Sequence, residues 1–285
     1  MNMQKVFRIS VLPLLFIAIF SCNDTKVKQT PEPEIKATQI DTISDIEEIV
    51  EEIDTITYDT DYYPIDTLLT TKILIESTFH EDEIDESFLN KEWFALVKNK
   101  KEYQLTETKL IAKRIHDVVL DESEKDKTGW KITISSKDTS LLLIEAQPYL
   151  SERKIQNYNL PEYIYPQDTV SFSYQNKAYK LFATGGKRKE TESSDWYIVW
   201  NYKLYLTTTV NGKEVTELLL ASPQFDDTMV RILFAGDIDG DEKLDLILDT
   251  SSHYNASSPT LYLSKPAEEE NKIIKPVGIH TSVGC

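Results

Sequence analysis

Trp196-Tyr-Ile-Val-Trp-Asn-Tyr-Lys-Leu-Tyr-Leu206, then Asn211-Gly212, then Val215-Thr-Glu-Leu-Leu-Leu220 is the stretch that decides the fold. Trp196, Ile198, Trp200, Tyr202, Leu204 and Leu206 fall on one face at period two, and Tyr197, Val199, Asn201, Lys203 and Tyr205 take the other, as in a strand with one side buried. Asn-Gly is the dipeptide that a two-residue type I′ turn demands, because both central residues take positive φ. The two runs therefore form an antiparallel hairpin. Working outward, similar runs broken by polar turns recur at 93–98, 108–120, 130–135, 141–146, 170–174 and 179–183, rich in the branched and aromatic residues that suit a pleated surface. One brief helix is expected around 83–89, where acids occupy the first turn. Lys187, Arg188 and Lys189 are expected at the tip of an exposed turn over 185–195. The fold class is thus mainly β: an antiparallel sheet or sandwich-like body with few short helices, over residues 66–285. Pro161 and Pro166 interrupt the strands near 157–167, where a division of the body into two subdomains would fall. No repeat at a fixed period is present.

The chain has 285 residues, with 31 Lys and Arg against 48 Asp and Glu, a net charge of -17. Nucleic acid is excluded as a partner on that balance, since binding phosphates needs a basic surface. Eight glycines exclude collagen-like architectures, and the length exceeds that of scaffolds which depend on disulfides. The acidity is uneven. Residues 23–65 hold twelve acids against three lysines, with Thr and Pro interspersed, so 22–65 reads as a self-repelling, disordered acidic linker. As a coil it would span roughly 35 Å. Within it, Ser44-Asp45-Ile46-Glu47 has capping-box form, and Ile46, Ile49, Val50 and Ile53 follow at helical spacing.

At the start of the chain, Lys5 and Arg8 precede a ten-residue apolar run, 11–20. That length suits the h-region of an export signal and falls short of the roughly 20 residues of a membrane span. The run ends Ile19-Phe20-Ser21-Cys22, which resembles the lipobox of bacterial lipoproteins. The resemblance implies removal of residues 1–21, acylation of Cys22, and a cell-envelope location, lipid-anchored at the outer membrane and facing the periplasm or the surface. More than one acyl chain gives stable anchoring without a membrane-spanning helix. Cys285 is the second and last cysteine, and a thioether-linked Cys22 would not pair with it.

Gly236-Asp237-Ile238-Asp239-Gly240-Asp241-Glu242-Lys243-Leu244-Asp245-Leu246 places Asp237, Asp239, Asp241 and Asp245 at loop positions 1, 3, 5 and 9, with the Lys243 carbonyl at position 7. This is a calcium-ligand spacing. Like charges about 4 Å apart repel by roughly 1 kcal/mol in water and about 4 kcal/mol at an effective dielectric of 20, so a tight turn that gathers several aspartates favours a cation. Hard oxygen donors without His or Cys favour Ca²⁺. An EF-hand needs a bidentate Glu at position 12, which is Leu248 here. With strand-like flanks, the stretch resembles instead the strand-loop-strand calcium loop of FG-GAP and VCBS-type repeats. That likeness covers about fifteen residues and occurs once, and a propeller needs several blades. It departs from the pattern at position 6, where Glu242 replaces Gly and must accept a left-handed backbone.

Asp249, at the end of the strand that follows, is a candidate further ligand or outer partner. Ser251, Ser252 and His253 share a polar loop, but adjacency in sequence does not make the nucleophile, base and orienter of a hydrolase. His80 lacks the second His of a zinc-binding helix and is expected to be exposed. His116 and His280 stand alone in sequence. Three functions stay open: a lipid-anchored interaction or structural module with a protein or glycan partner and a calcium-stabilised body, an exported hydrolase using Asp249 and a second acid, and a carbohydrate-binding module built on Tyr-rich strands.

Overall fold

The computed structural model describes residues 56–284 apart from 101 and 137. Expectations for the signal segment 1–21, Cys22, the possible helix after Ser44 and Cys285 lie outside the described residues. Within them the protein is mainly β, and residues Asp54–Cys285 belong to one unit. The strands, in chain order, are β1 (Ile73–Leu74), β2 (Ser77–Phe79), β3 (Trp93–Asn99), β4 (Glu102–Thr108), β5 (Leu110–Ile115), β6 (Gly129–Ile134), β7 (Thr139–Glu145), β8 (Arg153–Ile155), β9 (Thr169–Tyr174), β10 (Lys177–Lys189), β11 (Tyr197–Val210), β12 (Lys213–Gln224), β13 (Arg231–Gly236), β14 (Asp245–Asp249), β15 (Ala256–Ser257), β16 (Pro259–Leu263), β17 (Lys275–Ile279) and β18 (Ser282–Val283).

Four sheets and a two-stranded ribbon, β15-β18, result, and all strand pairs are antiparallel. Sheet I has the order β12-β11-β10-β9, sheet II β13-β14-β16-β17, sheet III β1-β7-β3-β4-β8, and sheet IV β2-β6-β5. Three hydrophobic cores alternate with them. Leu246, Leu248 and Tyr262 of sheet II pack with Tyr202, Leu204 and Leu206 of sheet I. Their strand neighbours Ile247, Leu261 and Leu263 point the other way and pack with Phe94, Leu96, Leu142 and Ile144 of sheet III. Trp93, Ala95, Val97 and Leu143, on the reverse of sheet III, pack with Trp130, Ile132 and Ile134 of sheet IV. Sheets II and III are therefore apolar on both faces. This explains why β14, β16 and the first five residues of β3 are buried throughout, where a one-sided strand would alternate.

The Asn211-Gly212 hairpin forms as expected, with φ of 51° and 77°. The period-two face of β11 does not survive intact. Thr184 pairs with Lys203 but Gly186 pairs with Trp200, so β11 carries one extra residue there, and Asn201 sits at φ 50°. This bulge shifts the alternation by one. Val199 is buried on one side of it and Tyr202, Leu204 and Leu206 on the other, while Trp196 and Trp200 are half-buried. A Cβ on Gly186 would come within 2.1 Å of the Trp200 indole, so the absence of a side chain makes room for that ring.

Other boundaries also move. The run 108–120 breaks into the end of β4 and all of β5, and then a turn in which Asp117 Oδ1 accepts the N–H of Val119 and Leu120 at 2.9 and 3.2 Å. Val118, Val119 and Leu120 are consequently exposed, against their apolar character. The brief helix is two 3₁₀ segments, Glu81–Glu83 and Glu86–Asn90, the second capped by Asp85, which accepts the Ser87 N–H at 2.8 Å. Lys187, Arg188 and Lys189 belong to β10 and not to a turn. There the Lys187 ammonium lies over the rings of Tyr165 and Tyr197. Residues 57–63, placed by composition in the acidic linker, are already joined to sheet I. Asn201 donates to the Thr57 carbonyl and accepts the Asp59 N–H, and Tyr63 and Ala221 exchange backbone hydrogen bonds at 3.0 Å. The segment around 157–162 runs along β13, through Tyr158 N–H to Ala235 and Ile232 N–H to Glu162.

Candidate metal centre

The loop 237–244 joins β13 to β14, so it is mounted on the sheet that separates two cores. Asp245 opens β14 and has no exposed surface, and Asp239 is 3% exposed. Backbone donors converge on the carboxylates. Asp237 Oδ1 accepts the N–H of Gly240 and Asp241 at 2.6 and 3.1 Å, and its Oδ2 that of Glu242 at 3.1 Å. Asp245 Oδ2 accepts from Ile238 and Asp239 at 2.6 and 3.1 Å. Its Oδ1 accepts the Ser264 N–H at 2.7 Å and the Ser264 hydroxyl at 2.9 Å. Asp239 Oδ2 accepts the Lys265 N–H at 2.9 Å. Glu242 takes the left-handed backbone expected of it, with φ 63°, and turns its side chain outward to solvent; Gly240 also has a positive φ, 81°. At Gly240 a Cβ would fall 1.0 Å from Nη1 of Arg153, whose guanidinium lies across the turn.

Asp237, Asp239 and Asp245 each direct a carboxylate oxygen to a common place, within 4.8 Å of one another. Asp239 Oδ1 is buried with no protein hydrogen-bond partner. Electrostatics record the strain of this crowding. Burial, followed by the negative charges of Asp241 and Asp237, pushes the Asp239 carboxyl up to about 7. Burial and the neighbouring Asp239 hold Asp245 well above the usual carboxylate range. Burial and the charge of Asp237 push the Tyr174 hydroxyl up to about 12. A buried charge of this kind is costly unless neutralised, and a divalent ion at the shared point would do so with hard oxygen ligands.

The remaining residues of the sequence-derived set are placed differently. Asp241 Oδ2 lies 2.9 Å from Lys243 Nζ, and Asp241 Oδ1 accepts the Lys243 N–H at 3.0 Å and the Ser264 hydroxyl at 2.9 Å. Lys243, expected to contribute through its carbonyl, is prominent here through its side chain, which also pairs with Glu268. Asp249 is at the opposite end of β14 from Asp245. It pairs with Arg231 at 2.8 Å and accepts the N–H of Ser251 and Ser258, so its oxygens are used by the fold. The Ser251 hydroxyl donates to the backbone carbonyl of His253, whose ring faces Asp226. The His253 ring also takes the Asn255 N–H, and no hydrogen bond joins it to a serine hydroxyl among the described residues.

Ser264 and Lys265 escaped the sequence reading because nothing local marks them. They reach the loop only because β16 lies beside β14. His80, expected to be exposed, is partly buried instead. His80 Nδ1 lies 2.6 Å from Asp117 Oδ2 with the pair only partly exposed. His116 faces Asp121 at 3.2 Å. His280 is buried, with Nε2 2.9 Å from the Glu83 carbonyl and its ring edge-on to Phe79.

The His80–Asp117 contact has a pH signature. The hydrogen bond to Asp117 is the largest influence on His80 and raises its pKa above the ordinary value, while the same bond holds Asp117 below the ordinary carboxylate value. A raised His stabilises the fold below about pH 6.5 and loses that contribution as pH rises through its folded-state value. A lowered Asp contributes above about pH 4 and loses it on acidification. His80→Gln is therefore expected to lower the melting temperature more at pH 6 than at pH 8.5. Equal losses at both, measured by calorimetry, would show that the ring acts only by packing.

In comparisons with known proteins, no family model, curated protein or solved structure matches the chain.

Proposed function

We propose that the protein is a lipid-anchored, exported lipoprotein of the cell envelope, whose β body is held together by a calcium ion in the β13–β14 loop and serves as an interaction or structural module. The observation that carries the ion is Asp239 Oδ1. It is a buried carboxylate oxygen without a hydrogen-bond partner, on a residue whose carboxylate shares a 4.8 Å cluster with two others. Asp237, Asp239 and Asp245 would hold the ion, and the chemistry it supplies is neutralisation of their charge and cross-linking of the loop, with no reaction implied. The test is a thermal melt of the purified protein in EDTA and in millimolar Ca²⁺. Wild type is expected to gain several degrees and Asp239→Ala none. Equal curves for wild type in both media would remove the ion.

The anchor rests on the Ser21-Cys22 junction and its apolar run. Cells expressing the full chain are expected to incorporate labelled palmitate into it, and Cys22→Ser to lose that label. Retention of the label in the variant would remove the lipoprotein reading. The module reading is preferred to the hydrolase because Asp249 is occupied by Arg231 and two backbone donors.

A further inference from the structure

We infer that Lys243 is a resident counter-cation that holds Asp241 out of the cation cluster and so sets how tightly a divalent ion is bound. This rests on the calcium reading above, and its test is arranged to separate the two. Every oxygen of Asp241 is engaged by protein. Oδ2 faces the Lys243 ammonium at 2.9 Å, and Oδ1 takes the Lys243 N–H and the Ser264 hydroxyl. The side chain of Asp241 is 3% exposed, so little water shields that ion pair. Glu268, from the 3₁₀ segment Lys265–Glu270, grips the same ammonium from the other side. Two carboxylates on one ammonium favour its charged form.

Asp241 nevertheless stands at the edge of the cluster. The Ser264 hydroxyl lies 2.9 Å from both Asp241 Oδ1 and Asp245 Oδ1, so one small group bridges Asp241 to a member of the cluster. A small side-chain turn would add a fourth carboxylate to the three that already converge. The ammonium opposes that turn. A divalent ion thus meets three carboxylates that no protein cation neutralises among the described residues, and must displace a clamped lysine to recruit the fourth. Oxygen-ligand sites gain affinity with the number of charged ligands they present, so removing the lysine charge strengthens the site.

The experiment is calorimetric titration of Ca²⁺ into the purified, EDTA-stripped protein, as wild type, Lys243→Met, Lys243→Gln and Lys243→Met with Asp241→Asn. The expected result is about tenfold tighter binding in both single variants, with the gain absent from the double variant. Lys243 is one-third exposed, so both single variants are expected to fold, and the glutamine form serves as the check if the methionine form does not. Wild-type binding with no gain, or a loss, in the single variants would overturn the inference and leave the calcium site standing. Absence of binding in wild type and in both single variants would overturn both. Binding that appears only when the lysine is removed would support both.

Discussion

Asp245→Ala is expected to lower the melting temperature by about 6–20 °C. The side chain has no exposed surface and receives the backbone N–H groups of Ile238, Asp239 and Ser264. With the carboxylate gone, three buried donors lose their acceptor, at about 1–3 kcal/mol each. Removing a buried charge returns part of that cost, since Asp245 is held well above its ordinary pKa by burial, but it cannot supply new acceptors. A net loss of about 3–5 kcal/mol is a large share of the 5–15 kcal/mol typical of a domain, and at about 2–4 °C per kcal/mol it yields the stated shift. Asp245→Asn keeps an acceptor oxygen and should fall between the two. An alanine variant that melts within two or three degrees of wild type would mean that the three donors find other partners, and that the loop is not organised around this carboxylate.

The second large effect is the one expected of calcium if it binds as proposed. Extracellular calcium modules bind at about 10⁻⁴ to 10⁻³ M. At about 10 mM Ca²⁺ such a site operates at roughly 10 to 100 times its dissociation constant, which stabilises the folded state by about 1.4–2.7 kcal/mol through mass action. The corresponding rise is about 3–10 °C. Mg²⁺ at the same concentration should give much less, because it demands tighter octahedral geometry and releases its water reluctantly. Asp239→Ala is the informative variant. Its Oδ2 receives one backbone N–H, from Lys265, and its Oδ1 none, so the ion-free protein loses little while the ion loses a ligand. A calcium-dependent rise of full size in Asp239→Ala would place the ion elsewhere.

Sequence alone carried the mainly β class, most strand positions in the body and the Asn211-Gly212 turn, because each depends on local chemistry. The aspartate spacing likewise included the three carboxylates that converge in the fold, Asp237, Asp239 and Asp245. What it missed was set by partners distant along the chain. The bulge at Asn201 arises opposite Gly185 and Gly186, and no period-two count over β11 contains it. The arrangement of cores on both sides of sheet II shows in the sequence only as the runs Leu244 to Leu248 and Leu261-Tyr262-Leu263, which a buried helix segment would match equally. Asp241 was grouped with its neighbours by spacing, whereas in the fold it pairs with Lys243, whose ammonium also meets the distant Glu268. The acidic composition of 56–65 hid its pairing with Asn201 and Ala221, since backbone hydrogen bonds leave no mark on composition.

Sheets II and III each serve two cores, whereas sheets I and IV each lean on one. Local opening is easiest where fewest apolar contacts are given up, so fraying belongs to the flanks of the stack and the middle is the last to loosen. The aspartate loop grows from β13 and β14, in that middle. Its oxygens are consequently set in position before any ion arrives, and little of the attraction need be spent on gathering them.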